Sequence, residues 1–227
     1  MQTDDKNIAK LQAISTPFGP LIAKFKMPDD MIKTLNDFVE SDETQNNIKE
    51  LDWSRNLVGK VHQEILVPPE KLRACSNFFH SAMAQYLNAI LRSGRGDQKG
   101  SEDYVWSYAS AWIVRSFPGE YNPVHMHPEA DIASVGYLKL PNWNHELAKD
   151  ATDHAGNTHG CLEFLHGSPL DFAPGAKKII PAVGDFYLFP ASLRHVVYPF
   201  STDGERRSFS ANLLFKPEST TKIITPP

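Results

Sequence analysis

YVWSYASAWIVRSF, from Tyr104 to Phe117, opens a succession of β-type runs punctuated by Pro and Gly. IASVGYLKL (Ile132–Leu140), CLEFL (Cys161–Leu165), DFYLF (Asp185–Phe189), HVVYPF (His195–Phe200) and RRSFSANLLF (Arg206–Phe215) follow it. Each run is short, rich in β-branched and aromatic residues, and bounded by turn formers, which is how strands read in a sequence. Upstream the period changes. Met31, Ile32, Leu35, Phe38 and Val39 recur at helical spacing behind Pro28, Asp29 and Asp30, which suit a helix start. A second helical stripe follows Pro69, through Leu72, Cys75, Phe78, Phe79, Ala82, Met83, Tyr86, Leu87 and Ile90.

Helices first and consecutive strands afterwards predict an α+β, mainly β chain: a jelly-roll core, or double-stranded β-helix, with the N-terminal helices packed on one sheet. At 227 residues the chain is expected to be a single domain. Residues 1–101 would form a helical support region with short strands, 102–217 the β core and 218–227 a tail. The Gly-rich charged stretch Arg92–Ser101 reads as a solvated connection. The long polar segment Asn142–His159, with His145, His154 and His159, reads either as an exposed loop or as a closing element over a site.

Composition narrows the function classes. A net charge of -4 without a Lys/Arg cluster argues against a nucleic-acid partner. No apolar run is long enough for a membrane span, and the polar start MQTDDKNIAK lacks a secretory pattern, so the expected location is cytoplasmic. Cys75 and Cys161 have no metal-binding or disulfide spacing and are expected to be reduced.

Within SFPGEYNPVHMHPEADIASVGYLKLP (Ser116–Pro141), His125 and His127 stand two positions apart. In an extended chain such residues share a face about 7 Å apart, so both imidazoles can converge on one metal. His195, between a turn and a strand, is the best third ligand. Glu129 is the alternative, forming HxE with His127, and Asp131 is reachable only if the chain turns at Pro128. In ERRSFSANLLF, Arg206, Ser208, Ser210 and Asn212 share one strand face, and Arg207, Phe209 and Ala211 the other. That parity favours Arg206 over Arg207 as an anchor: a buried guanidinium beside a hydroxyl suits a dicarboxylate, whereas the competing reading leaves Arg206 in a surface ion pair with Glu205. Trp106, Tyr108 and Trp112, at even spacing, line either a cavity or the core, with core packing the better fit. Asn122 is near the histidine pair by position alone.

The order HxH, Tyr-Leu, a Gly-Asp strand ending Phe-Pro and leading to a histidine, then Arg-x-Ser and Asn, resembles the 2-oxoglutarate/Fe(II) oxygenase superfamily. The resemblance extends to a largely uncharacterised subfamily of bacteria and phages, and covers Trp112–Phe215 well. It implies Fe(II) and 2-oxoglutarate as cofactors, with His125, His127 and His195 as metal ligands and catalytic residues. It further implies that Tyr137, Arg206 and Ser208 bind the cosubstrate. The implied reaction hydroxylates an unidentified substrate, a small molecule or protein side chain, with O2 and decarboxylation of 2-oxoglutarate to succinate. One departure stands out: His127 occupies the place usually held by a carboxylate, which lowers the charge donated to iron by one unit. A cupin-type dioxygenase that needs no 2-oxoglutarate, and a non-enzymatic jelly-roll binding module, are the alternatives. An exposed sheet edge would support a homodimer.

Overall fold

The computed structural model describes residues 8–15, 19–56, 58–93, 104–142, 158–168 and 175–217. Strands β1 (Lys10–Ser15) and β2 (Ile22–Lys26) lead into helices α1 (Asp29–Glu40) and α2 (Asp42–Asn46). Strand β3 (Gln63–Leu66) and helices α3 (Pro69–Leu72) and α4 (Ser76–Arg92) follow. The β region then runs through β4 (Tyr104–Ser116), β5 (Asn122–His125), β6 (Ile132–Lys139), β7 (Leu162–Leu165), β8 (Ala176–Ile179), β9 (Asp185–Pro190), β10 (Arg194–Val197) and β11 (Arg206–Pro217).

The strands form two sheets, ordered β1-β2-β9-β6-β11-β4-β3 and β5-β10-β7-β8. The pairings are antiparallel. From β4 to β11 the chain passes back and forth between the sheets, except that β7 and β8 form a hairpin within the small one, which is the double-stranded β-helix expected from the runs. Strands β1, β2 and β3 widen the large sheet at its two edges.

The large sheet has two different faces. Against one lie α1 and α4, whose Leu35, Phe38, Phe78, Phe79, Met83 and Tyr86 pack with Ile113, Phe186, Phe209 and Leu213. Phe79 sits at the middle of this layer, with its ring 5.8 Å from Phe186 and 5.7 Å from Phe209. The stripe after Pro69 is not one helix: a 3-10 turn at Arg73–Cys75 separates α3 from α4. The tighter turn brings residues three apart into line, so Leu72 and Cys75 are both buried. On the other face a smaller apolar cluster, including Ile22, Tyr137, Phe164, Tyr187 and Phe189, joins the large sheet to the small one.

A β-bulge changes the expected parity of β4. The register with β11 slips between Asn212, opposite Ser110, and Leu213, opposite Tyr108, which leaves Ala109 as the extra residue. Trp106 and Tyr108 therefore pack with the helix-side core, while Trp112 turns to the inter-sheet face. The core reading holds for the first two aromatics, and the cavity reading for the third.

Both cysteines are buried. No helix among the described residues is long and apolar enough to cross a membrane. Most of the connection Arg92–Ser101 and of the segment Asn142–His159, with His145 and His154, lies outside the described residues, as does the tail.

Candidate functional site

β5 and β10 are neighbours, and their register sets His125 directly opposite His195. His127 arrives differently from what an extended HxH implies. β5 ends at His125, and His127 lies in the link to β6, its backbone N–H donating to Ala191 O at 2.9 Å. Its ring faces Trp112 of the large sheet, with centroids 5.9 Å apart. Two histidines thus come from the small sheet and one from the crossing between sheets. Each offers a ring nitrogen, all within 4.8 Å of one another, and no other such group of three potential ligands occurs among the described residues.

The rings are oriented from behind. Nδ1 of His125 lies 2.7 Å from Pro123 O, and Nδ1 of His195 lies 2.9 Å from Leu193 O. A carbonyl only accepts, so both Nδ1 atoms carry the hydrogen and both Nε2 lone pairs are left for a ligand. Nδ1 of His127 lies 3.4 Å from Nδ2 of Asn212, while Oδ1 of Asn212 is buried without a partner. The two ends of an amide have the same shape. Turning Asn212 end for end sets Oδ1 against an Nδ1–H of His127, satisfies the orphaned oxygen and directs the third Nε2 lone pair inward with the others. Burial disfavours the imidazolium form at all three rings, lowering His125, holding His127 at about 4 and His195 at about 3, with neighbouring histidines adding to the effect at His127 and His195. Neutral imidazole is the ligating form, and three of them suit a divalent first-row transition metal.

Glu129 is exposed on the following turn, at the rim of an adjoining depression rather than in the histidine group. Asp131 is engaged in the fold: its Oδ2 accepts the Phe215 N–H at 3.0 Å.

The histidines line a small cavity that is partly open to solvent. Arg206, Ser208 and Ser210 of β11 line it as well, together with Trp112, Ser134, Asn122 and Glu64. The alternation read from ERRSFSANLLF is present: Arg206, Ser208 and Ser210 face the cavity, while Phe209 and Ala211 face the helices. Asn122 is fixed by donating Nδ2 to Val58 O at 2.8 Å. Gly59, at φ 150°, allows this approach, since a Cβ there would fall 2.5 Å from Asn122 Nδ2.

Adjacent arginines have opposite fates. Arg207 bonds Glu205, Glu40 and Asn36 on the helix side. Glu205, which the competing reading gave to Arg206, is thereby taken, along with bonds from Arg115 and Lys139. Arg206 is 2 % exposed and no carboxylate among the described residues pairs with it. Its Nε donates to Ser116 Oγ at 3.0 Å, and its Nη1 to Gly160 O and Tyr198 O at 3.2 and 3.1 Å. Burial brings Arg206 down to about 10, so it stays charged at neutral pH. Nη2 keeps no acceptor among the described residues. A buried cation hydrogen-bonded only to neutral groups could receive an anion.

Tyr137 is not among the residues lining this cavity. It lies buried in the inter-sheet cluster, across from Ser208 in the β6–β11 register. Burial pushes its phenol up, and the Arg206 charge opposes that push. Glu64 and Ser116 are site residues that the sequence reading did not single out, and it gave Asn212 no role beyond its place on the Arg206 face.

Residues 110–212 match a family described as "Putative 2OG-Fe(II) oxygenase". Among solved structures, a prolyl-4-hydroxylase of Pseudomonas putida superposes with a TM-score of 0.52 at 19% identity, over 85% of this chain and 91% of that one. AviO1 of Streptomyces viridochromogenes Tue57 superposes with a TM-score of 0.50 at 16% identity, over 85% of this chain and 89% of that one. The comparison with curated proteins found no match. At these identities the structural likeness speaks to the fold.

Proposed function

From the family match and the fold, which support kinship with the 2OG-Fe(II) oxygenase superfamily, we propose that this protein is an oxygenase dependent on Fe(II) and 2-oxoglutarate that hydroxylates a substrate carbon. The superfamily implies both cofactors. His125, His127 and His195 would hold the metal, and Arg206 with Ser208 the distal carboxylate of 2-oxoglutarate. Tyr137 would support Arg206 from the inter-sheet core. When bound, the metal and cosubstrate supply the oxidation: O2 is consumed, 2-oxoglutarate leaves as succinate and CO2, and a substrate C–H becomes C–OH.

The chain's own residues have four tasks. The Pro123 and Leu193 carbonyls, with Asn212, hold the three rings so that their inward lone pairs converge. Ser116 and the Gly160 and Tyr198 carbonyls hold Arg206 rigid, so the carboxylate meets a fixed fork. Trp112, Val114, Phe189 and Val197 provide apolar wall around the polar groups and limit water. Ser134 braces the floor by bonding both the O and the N of Ala211 at 3.0 Å.

The observation that carries the reading is the pairing, in one cavity, of a three-imidazole cluster with a buried arginine that has no acid partner. Anaerobic titration of the Fe(II)-loaded protein with 2-oxoglutarate tests it through the visible charge-transfer absorption. The band is expected in the wild type, at much higher cosubstrate concentration in Arg206→Gln, and not in His195→Ala. The three-histidine set also suits a cupin-type dioxygenase. Iron binding without any band would overturn cosubstrate chelation and favour that second reading.

A further inference from the structure

Glu64 is a buried acid that none of the roles above uses. It is 1 % exposed, and its Oε1 has no hydrogen-bond partner. The other buried acids among the described residues are matched: Glu205 by Arg115, Arg207 and Lys139, and Asp185 by Lys24 and Tyr187. A buried carboxylate without a donor is costly, and a fold that keeps one over a cavity is leaving its partner to come from outside.

The register shows which way it points. On β3, Ile65 packs into the helix-side core and Glu64 lines the cavity. Glu64 pairs with Val114, which pairs with Ser208, so the three stand in one row across β3, β4 and β11. Two strand spacings, roughly 9–10 Å, separate the backbones of Glu64 and Ser208. The cavity therefore has a cationic end at Arg206 and an acidic end at Glu64, with the histidines lining the same space.

The cavity continues outward into the depression that shares Val58, Trp112, His125 and His127 with it. Trp53 and Glu129 lie on its wall. Trp53 is anchored to β3 through its N–H on the backbone carbonyl of Glu64, at 2.8 Å. Burial, and then the nearby Asp52 carboxylate, raise Glu64 to about 7. Arg55 is the neighbouring cation, and its field acts on Asp52. Acid groups beside indole faces are the surroundings that select cations over neutral groups.

We propose that Glu64 is the substrate-recognition residue of this site and takes an alkyl ammonium or guanidinium group, so that the substrate carries a cationic, lysine- or arginine-like chain. The proposal rests on the reading in which cosubstrate occupies the Arg206 end. With its head on Glu64, such a chain lays its apolar carbons along Trp112 and Val114, toward the histidine cluster.

The test is equilibrium titration of the metal-loaded protein, followed by its tryptophan fluorescence. The probes are the N-acetyl methylamides of lysine, arginine and norleucine, with putrescine to separate a free amine from a peptide-borne one. Lysine or arginine probes are expected to bind about tenfold or more tightly than norleucine, the increment of a charge-assisted bond. In Glu64→Gln that ratio is expected to fall to about one, and in Glu64→Asp to be kept in part. Equal binding of norleucine, a ratio that survives Glu64→Gln, or no binding of any cationic probe overturns the proposal. The charge-transfer titration is run on the same samples. A band with no cation preference removes the subsite alone, and a Glu64-dependent preference without a band removes the cosubstrate reading alone.

Discussion

Replacing Glu64 by Gln keeps the shape of the side chain and removes its ability to ionise, so the variant should become more stable than the wild type as pH rises. The group stands at about 7 in the fold against an ordinary 4.5, raised first by burial and then by Asp52. A folded value above the unfolded one means that neutral Glu64 favours the fold below pH 4.5. That advantage is lost as pH rises through about 7, and above this the burial penalty is complete. The gap from 4.5 to about 7 corresponds to roughly 3 kcal/mol at 1.36 kcal/mol per pH unit. Urea unfolding of both proteins, at pH 5 and again at pH 8.5, measures it. Any fixed cost of the amide is the same at both pH values, and the histidines titrate in both proteins, so the change in the difference isolates Glu64. Most of the roughly 3 kcal/mol should appear between the two conditions. A difference that does not move with pH would show that Glu64 is hydrated or already paired, and that its carboxyl carries no burial penalty.

The acid on the opposite face behaves in the reverse sense. Burial works against ionisation of Glu205, but hydrogen bonds from Arg115, Arg207 and Lys139 outweigh it and hold the carboxyl at about 2. Its contribution is present above 4.5 and lost as pH falls towards 2. Glu205→Gln leaves Arg207, 1 % exposed, without its main partner, and should cost about 3–5 kcal/mol in urea unfolding at pH 7 and much less near pH 2. Asn212→Leu should weaken Co(II) binding by about 10–100-fold in absorption titrations while Asn212→Asp retains it, because only an acceptor can hold Nδ1–H of His127. Equal loss in both variants would remove the orienting role. Phe79→Ala should cost about 3–5 kcal/mol in the same unfolding assay without changing metal affinity, since Phe79 is fully buried among Phe78, Phe186 and Phe209 on the face away from the histidines.

The six β-type runs correspond to β4, β6, β7, β9, β10 and β11, the strands long or apolar enough to show their period. β5 carries Pro123 among four residues, and β8 is Ala-Lys-Lys-Ile with its first two residues exposed, so neither resembles a strand without its neighbours. β1, β2 and β3 join the large sheet from outside the core segment, and Gln-Glu-Ile-Leu is too short to show a period. Parity succeeded on β11, where Arg206 and Ser208 do face the cavity, and failed across β4, because the bulge at Ala109 depends on pairing and leaves no mark in the run itself. The residues of the HxH spacing do meet His195, for a partly different reason: His127 has left the strand and is set by Ala191 and Asn212. Glu64 was illegible because its signal is contextual. A Glu beside an apolar residue in a short run is unremarkable until the sheet shows Ile65 turned to the helices and Glu64 turned to the cavity.

The two faces of the large sheet handle charge in opposite ways, and that contrast sets the cavity face apart. Arg207 and Glu205, on the helix side, are as buried as Arg206 and Glu64, yet each has its counter-charge within the chain. On the cavity side the fold supplies Arg206 with carbonyls and a hydroxyl, and leaves Glu64 Oε1 with nothing. A sequence that can pair buried charges so fully on one face is not short of means to pair them on the other. The unpaired groups therefore lower the stability of the fold, and the helix-side layer of Phe78, Phe79, Phe186 and Phe209 offsets that loss through apolar burial. Ligands that bring an anion to Arg206 and a cation to Glu64 would remove both penalties on binding, so occupancy and stability should rise together in the same site.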